Sequence, residues 1–163
     1  MDAEWDKLMT AKRPDPNDKG IGVFDMTSVM ELGAVKAEAR RSGEKMHHGH
    51  LAQLCTVKNS ELPDTDARKV YTGRDYVLGD QIKDEGNDWA EFANIGSTPP
   101  SLAAGMAIDA IACLPGYVSE SADAKSAYTQ AYYEGITMWI TIPRERWPKS
   151  WEGKFTNPVV RLS

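Results

Sequence analysis

The stretch ESADAKSAYTQA, residues 120–131, places one carboxylate, Asp123, five positions ahead of an aromatic ring, Tyr128, with Ala127 just before the ring. YVSESADA reads as a short strand ending in that acid, and AKSAYTQAYYEG as a helix stopped by Gly135. A carboxylate at a strand end projects from the sheet edge into open space. Hard oxygen ligands there suit Mg²⁺, which keeps several waters and is held by one or two carboxylates plus substrate phosphates. An aromatic about one helical turn further on would wall a pocket beside the ion. On spacing alone the commoner role of such a pair is structural, with Asp123 capping the next helix and Tyr128 in the core.

The elements that must carry these residues are mixed. Residues 11–22, AKRPDPNDKGIG, form a Pro/Asp/Gly loop. Ser28 with Glu31 fits a capping box for a helix through VMELGAVKAEARR, and Gly43 fits its stop. LAQLCTVKN, from Leu51, reads as a strand, ELPDTDA as a hairpin loop and RKVYTGRDYVLG as the returning strand. DQIKDEGNDWAEF is polar and irregular. STPPSLAAGMAIDAIACLPG opens with a Ser/Thr cap and prolines, then runs as an apolar helix to Pro115 and Gly116. TMWITIP is a strand, and RERWPKSWEGKFTNPVVRLS reads as loop with no closing element. This order predicts an α+β fold, a mainly antiparallel sheet with helices on one face. The final strands supply too little sheet to cover those helices, so the chain reads as cut short.

At 163 residues the chain is one ordinary domain or a piece of a larger one, with 41% hydrophobic and 26% charged residues. Its net charge of −5 argues against unspecific binding of polyanions by the whole surface, since phosphate contacts need Lys and Arg. The tail from Thr137 is locally basic, with Arg144, Arg146, Lys149, Lys154 and Arg161 against Glu145 and Glu152. Cys55 and Cys113 lie in apolar surroundings without CxxC spacing, which reads as two buried, reduced thiols. No run approaches a membrane span, and MDAEWDKLMT lacks the apolar core of a signal peptide. The expectation is a soluble intracellular protein, cytoplasmic or nuclear, with no membrane partner.

ADAKSAYTQA followed by TMWITIPRERWP resembles the first palm motif of Ty1/copia-type retrotransposon reverse transcriptases, in which an acid ends a strand and D-x-K-x-A-[FY] follows. ARKVYTGRDYVLGDQ is similar to that family's A-R-[LV]-V-x-x-G fingers strand. GSTPPSLAAGMAIDAIACLPGYVSESAD is similar to its helix leading to the catalytic strand. In detail the chain looks most like the diverged copia-like elements of dinoflagellates. The likeness spans roughly Asn59 to Leu162 and is sharpest over Ala122–Tyr128.

That resemblance implies a partial fingers/palm fold. Residues 1–27 would be an N-terminal extension, 28–116 a fingers-like helix, hairpin and leading helix, and 117–163 the first part of a palm, ending before the second and third motifs. It implies nucleotidyl transfer by a two-Mg²⁺ mechanism in the full-length protein, acting on an RNA or DNA template-primer and a dNTP, with other polyprotein domains as partners. Asp123 would be the first catalytic carboxylate and a ligand to both ions, and the Ala124 carbonyl a second ligand to one of them. Tyr128 would be the steric gate against a 2′-hydroxyl. Arg74 would contact the incoming triphosphate, with Lys69 and Lys58 as further candidates. For all three bases the competing role is a solvated hairpin face.

Two departures qualify the likeness. Asp75 follows Arg74 where the family has an aliphatic residue, and an acid there would repel a triphosphate. No Y-x-D-D segment or similar Asp pair occurs, and one carboxylate cannot hold two ions about 4 Å apart. As this chain the protein is therefore expected to be inactive; a co-opted, non-catalytic scaffold or interaction protein is the alternative.

Three features are set aside. HHGH, residues 47–50, pairs His47 with His50 only on a helix that Gly49 would break, so a polar turn is expected rather than zinc. Trp139 is assigned to its strand's core, with Trp147 and Trp151 covering a sheet edge rather than stacking on bases. TGRDYVLGDQ lacks the G-K-[ST] of a phosphate loop.

Overall fold

The computed structural model describes residues 2–13, 20–92, 100–123 and 127–163. They form two compact units, one from residues 1–90 and 128–163, the other from 91–127.

The first unit is α+β. Helix α1 (Asp2–Met9), strand β1 (Phe24–Glu31) and helix α2 (Leu32–Ser42) are followed by the long hairpin β2 (His47–Lys58) and β3 (Val70–Val77). A 3₁₀ turn at Gly79–Gln81 leads into the short β4 (Lys83–Asp84), and the unit closes with β5 (Met138–Thr141) and β6 (Pro158–Leu162). The strands make one mixed, mostly antiparallel sheet in the order β1-β6-β5-β2-β3, with β4 also paired to β2. Among the described strands only β2 and β5 run parallel, through residues 47–50 against 138–141. One edge of β2 is thus shared: β4 lies against His47 and His48, and β3 takes residues 51–58.

The tail expected to be loop supplies β6, an interior strand. Its signal is compressed into PVVRL, five residues lying between β1 and β5, which satisfy its backbone from both sides. Val159 and Val160 are both wholly buried but belong to different clusters, as strand alternation demands. Val160 joins Phe24, Leu51, Ile82, Ile140, Ile142 and Trp151, with Trp5 and Leu8 of α1 packed on them. Val159 joins Val35 and Ala39 of α2, with Met46 and Trp139. Helices therefore cover opposite faces of this sheet, not one.

The Ser28/Glu31 pair does not cap a helix. Residues 28–31 are the end of β1, and α2 begins at Leu32 with Glu31 making no side-chain cap. Instead the Glu31 carboxylate accepts from the amides of Thr156 and Asn157, and Ser28 Oγ accepts from the Arg161 amide while donating to the Asp25 carbonyl. Both side chains fasten β1 to the β6 region across a bulge between Asp25 and Met30. The helix stop at Gly43 is as expected: φ is 74° and its N–H reaches the Ala39 carbonyl. At Gly22, also left-handed at φ 71°, an added Cβ would lie 2.4 Å from the Met9 carbonyl oxygen, because α1 abuts the start of β1 there.

HHGH is strand, not turn. Gly49 suits the close packing there, since a Cβ would meet Val77 Cγ1 at 3.1 Å and Ile140 Cδ1 at 3.5 Å. Trp151 is buried at 5% exposure, and Trp147 is partly buried, its indole N–H donating 2.8 Å to the Ile142 carbonyl. They close a core face rather than an edge.

The second unit holds helix α3 (Leu102–Ala112), capped by Ser101 Oγ, which accepts from the Ala104 amide. No residue of α3 is buried. Residues 117–123 form no strand, contrary to expectation; the segment is polar at Ser119, Glu120 and Ser121, and no described strand pairs with it. The helix expected over AKSAYTQAYYEG is reduced to a 3₁₀ turn at Ala127–Thr129, residues 124–126 lying outside those described. Cys55 and Cys113 are both exposed, not buried.

Candidate nucleic-acid interface

Strand alternation sorts the hairpin into two faces. Gly49 and Leu51 point to the α1-side core, so His48, His50, Ala52, Leu54, Thr56 and Lys58 share the other face, the one on which α2 lies. The register sets Tyr76 opposite Ala52, Arg74 opposite Leu54, Thr72 opposite Thr56 and Val70 opposite Lys58. Residues directly opposite in a ladder point to the same side. Lys58, Arg74 and Tyr76 are therefore on one surface. Lys58 and Arg74 are exposed, and Leu54 and Tyr76 are each 45% exposed. Lys58 lies about 13 Å along the hairpin from the Arg74–Leu54 pair, at roughly 3.3 Å per strand residue.

Asp75 belongs to the opposite face, where its Oδ1 accepts from Gln53 Nε2. The acid next to Arg74 in sequence thus does not share its surface. Lys69 is engaged elsewhere. Its ammonium is 2.5 Å from Asp64, and its side chain is only 16% exposed.

Nearer α2 the same face becomes crowded with cations. Lys83 of β4 lies opposite His48, its ammonium 4.6 Å from the Trp89 ring centre and 3.4 Å from the Asn87 carbonyl. Lys36 donates 3.1 Å to Asn87 Oδ1, and Arg40 donates 3.0 Å to the Glu85 carbonyl. Burial lowers the proton affinity of Lys36, and Arg40 and Lys83 lower it further. His48, buried at 4% exposure, has its Nε2 2.8 Å from Thr141 Oγ1. Burial first, then His50 and Lys36, push its pKa down to about 4, so it is neutral at pH 7.

The remaining expected site residues are dispersed. Asp123 is an exposed acid in the second unit, in an irregular segment. Ala124 lies outside the described residues, and Tyr128 falls in the Ala127–Thr129 turn. Among the described residues no group of three or more His, Cys, Asp or Glu is placed to hold a metal ion, and no helix is long and apolar enough to cross a membrane.

Reading the sequence does not reach His48, Lys36, Lys83 or Tyr76, and it joins His50 to the wrong histidine. A period-two pattern extended back from Leu51 through HHGH aligns His48 and His50 with Leu54 and Lys58. No family model, curated protein or solved structure matches the chain.

Proposed function

We propose that the chain is the fingers and first palm portion of a copia-type RNA-directed DNA polymerase, and that its exposed hairpin face contacts nucleic-acid or nucleotide phosphates. The observation behind this reading is that Lys58, Arg74 and Tyr76 share one solvent-facing surface while Asp75 is turned onto Gln53. Bases for phosphates and an aromatic for base stacking are the components of a single-strand contact. In this reading Asp123 is the first metal-binding carboxylate of a two-Mg²⁺ centre, with the Ala124 carbonyl beside it and Tyr128 as steric gate. The further carboxylates of that centre are not in this chain, so it binds without polymerising.

Two measurements test it. Fluorescence anisotropy on a labelled RNA–DNA primer-template should give salt-dependent binding, weakened by Arg74→Ala and Lys58→Ala. Primer extension on poly(rA) with Mg²⁺ should give no incorporation above background. Salt-independent binding, or none, removes the interface; robust extension lost in Asp123→Ala overturns the inactivity.

A second reading, a retroelement-derived scaffold without catalysis, is favoured by α3, whose Leu102, Met106, Ile108 and Ile111 are all exposed. Such an apolar helix marks an interaction surface. A partner protein bound with nucleic acid excluded would favour this second reading over the first.

A further inference from the structure

The strand conformation of HHGH changes which histidines meet. Residues two apart on a strand share a face, so His48 pairs with His50, and His47 turns to the other side. The two rings stand 4.7 Å apart, centre to centre, inclined at 70°.

We propose that His48 and His50 form a two-nitrogen chelate for a divalent transition-metal ion, Cu²⁺ above the others, on the α2 side of the sheet and reached from solvent through His50. This rests on β2 and the elements packed beside it, and is independent of the polymerase reading. His48 is pre-oriented: its Nε2 is tied to Thr141 Oγ1 at 2.8 Å. In the tautomer that donates from Nε2, Nδ1 keeps its lone pair for a metal. A second hydrogen bond on the far ring nitrogen is the usual way a ligating histidine is held. His50, which is exposed, supplies the route from solvent. Imidazole ligation favours Cu²⁺ over Ni²⁺ and Zn²⁺.

The surroundings set the strength. The groups facing the pair are Thr141 from β5, Lys83 from β4 and Lys36 from α2. No carboxylate joins the two rings, since no group of three or more ligating residues exists among those described. Water therefore completes the coordination, and Lys36 opposes the incoming charge. The site is a weak, exchangeable one, held below its potential affinity by a neighbouring cation.

The test uses the full chain, untagged, with Cys55→Ser and Cys113→Ser to remove the two exposed thiols. Calorimetric titration with Cu²⁺ at pH 7.5 should show one ion per chain, and electron paramagnetic resonance should show two coupled imidazole nitrogens. His50→Ala, an exposed change that leaves the core intact, should weaken binding at least about tenfold. Lys36→Met should tighten it severalfold, because it removes the repelling charge. His48→Gln removes a ligand together with a buried ring tied to Thr141, so the variants at His50 and Lys36 decide the matter. Binding unchanged in His50→Ala, or not tightened in Lys36→Met, overturns the proposal.

Discussion

Arg74 and Asp75 are adjacent in the chain and lie on opposite faces of one hairpin, Arg74 across from Leu54 in the register and Asp75 bonded to Gln53. Alternation separates two charges that the sequence sets side by side.

The consequence for binding is asymmetric. Arg74→Ala and Lys58→Ala should each reduce the slope of log affinity against log salt by about 0.7–0.9 on nucleic acid. Asp75→Asn should leave the slope unchanged. Anisotropy titrations from low to moderate salt read both, and a steeper or tighter Asp75→Asn curve would place the acid on the binding face after all.

His48 makes stability depend on pH. Its unfolded pKa is near 6.5 and its folded one about 4, so between those values the unfolded chain binds more protons. Stability is complete above about pH 6.5 and falls as pH drops towards 4, by at most about 3 kcal/mol. Urea melts from pH 4 to 7.5 should show that loss, and His48→Gln should flatten it. An equally steep loss in the variant would assign it to other groups.

Glu31 should matter more than an exposed acid ordinarily does. It accepts the Thr156 and Asn157 amides just ahead of β6. Glu31→Ala removes two charge-assisted hydrogen bonds to exposed amides, which water can then take up, and should cost about 1–2 kcal/mol, visible in denaturant unfolding. Glu31→Gln, which keeps one acceptor oxygen, should recover part of it.

Gly22→Ala introduces a Cβ against the Met9 carbonyl at a positive φ. Displacement of α1 from Phe24 should follow, at a cost of about 1–3 kcal/mol. Because Trp5 stacks on Phe24 at 5.8 Å, a shift in tryptophan fluorescence should accompany it.

The hairpin, the Gly43 stop and β5 are legible in the sequence because each has a local signal: alternation bounded by turn residues, a left-handed glycine, a β-branched run. Ser28 and Glu31 mislead because the same oxygen acceptors that cap a helix also satisfy amides brought from more than a hundred residues away. PVVRL is too short to announce itself, and only pairing on both edges makes it a strand. The candidate interface is legible in part. Arg74 and Lys58 stand out as bases on a hairpin, but that Asp75 faces away follows from register. His48 and His50 stay hidden as a pair because HHGH reads locally as a turn, in which the wrong histidines meet.

Strand β6 joins β1 to β5, and β1 is hydrogen-bonded to no other described strand. A ribosome therefore releases Phe24–Glu31 long before its partner exists. For well over a hundred residues of synthesis that segment has no described strand to pair with. The sheet can close only after translation has passed Leu162, so β1 waits for its partner throughout synthesis of the hairpin and of the second unit.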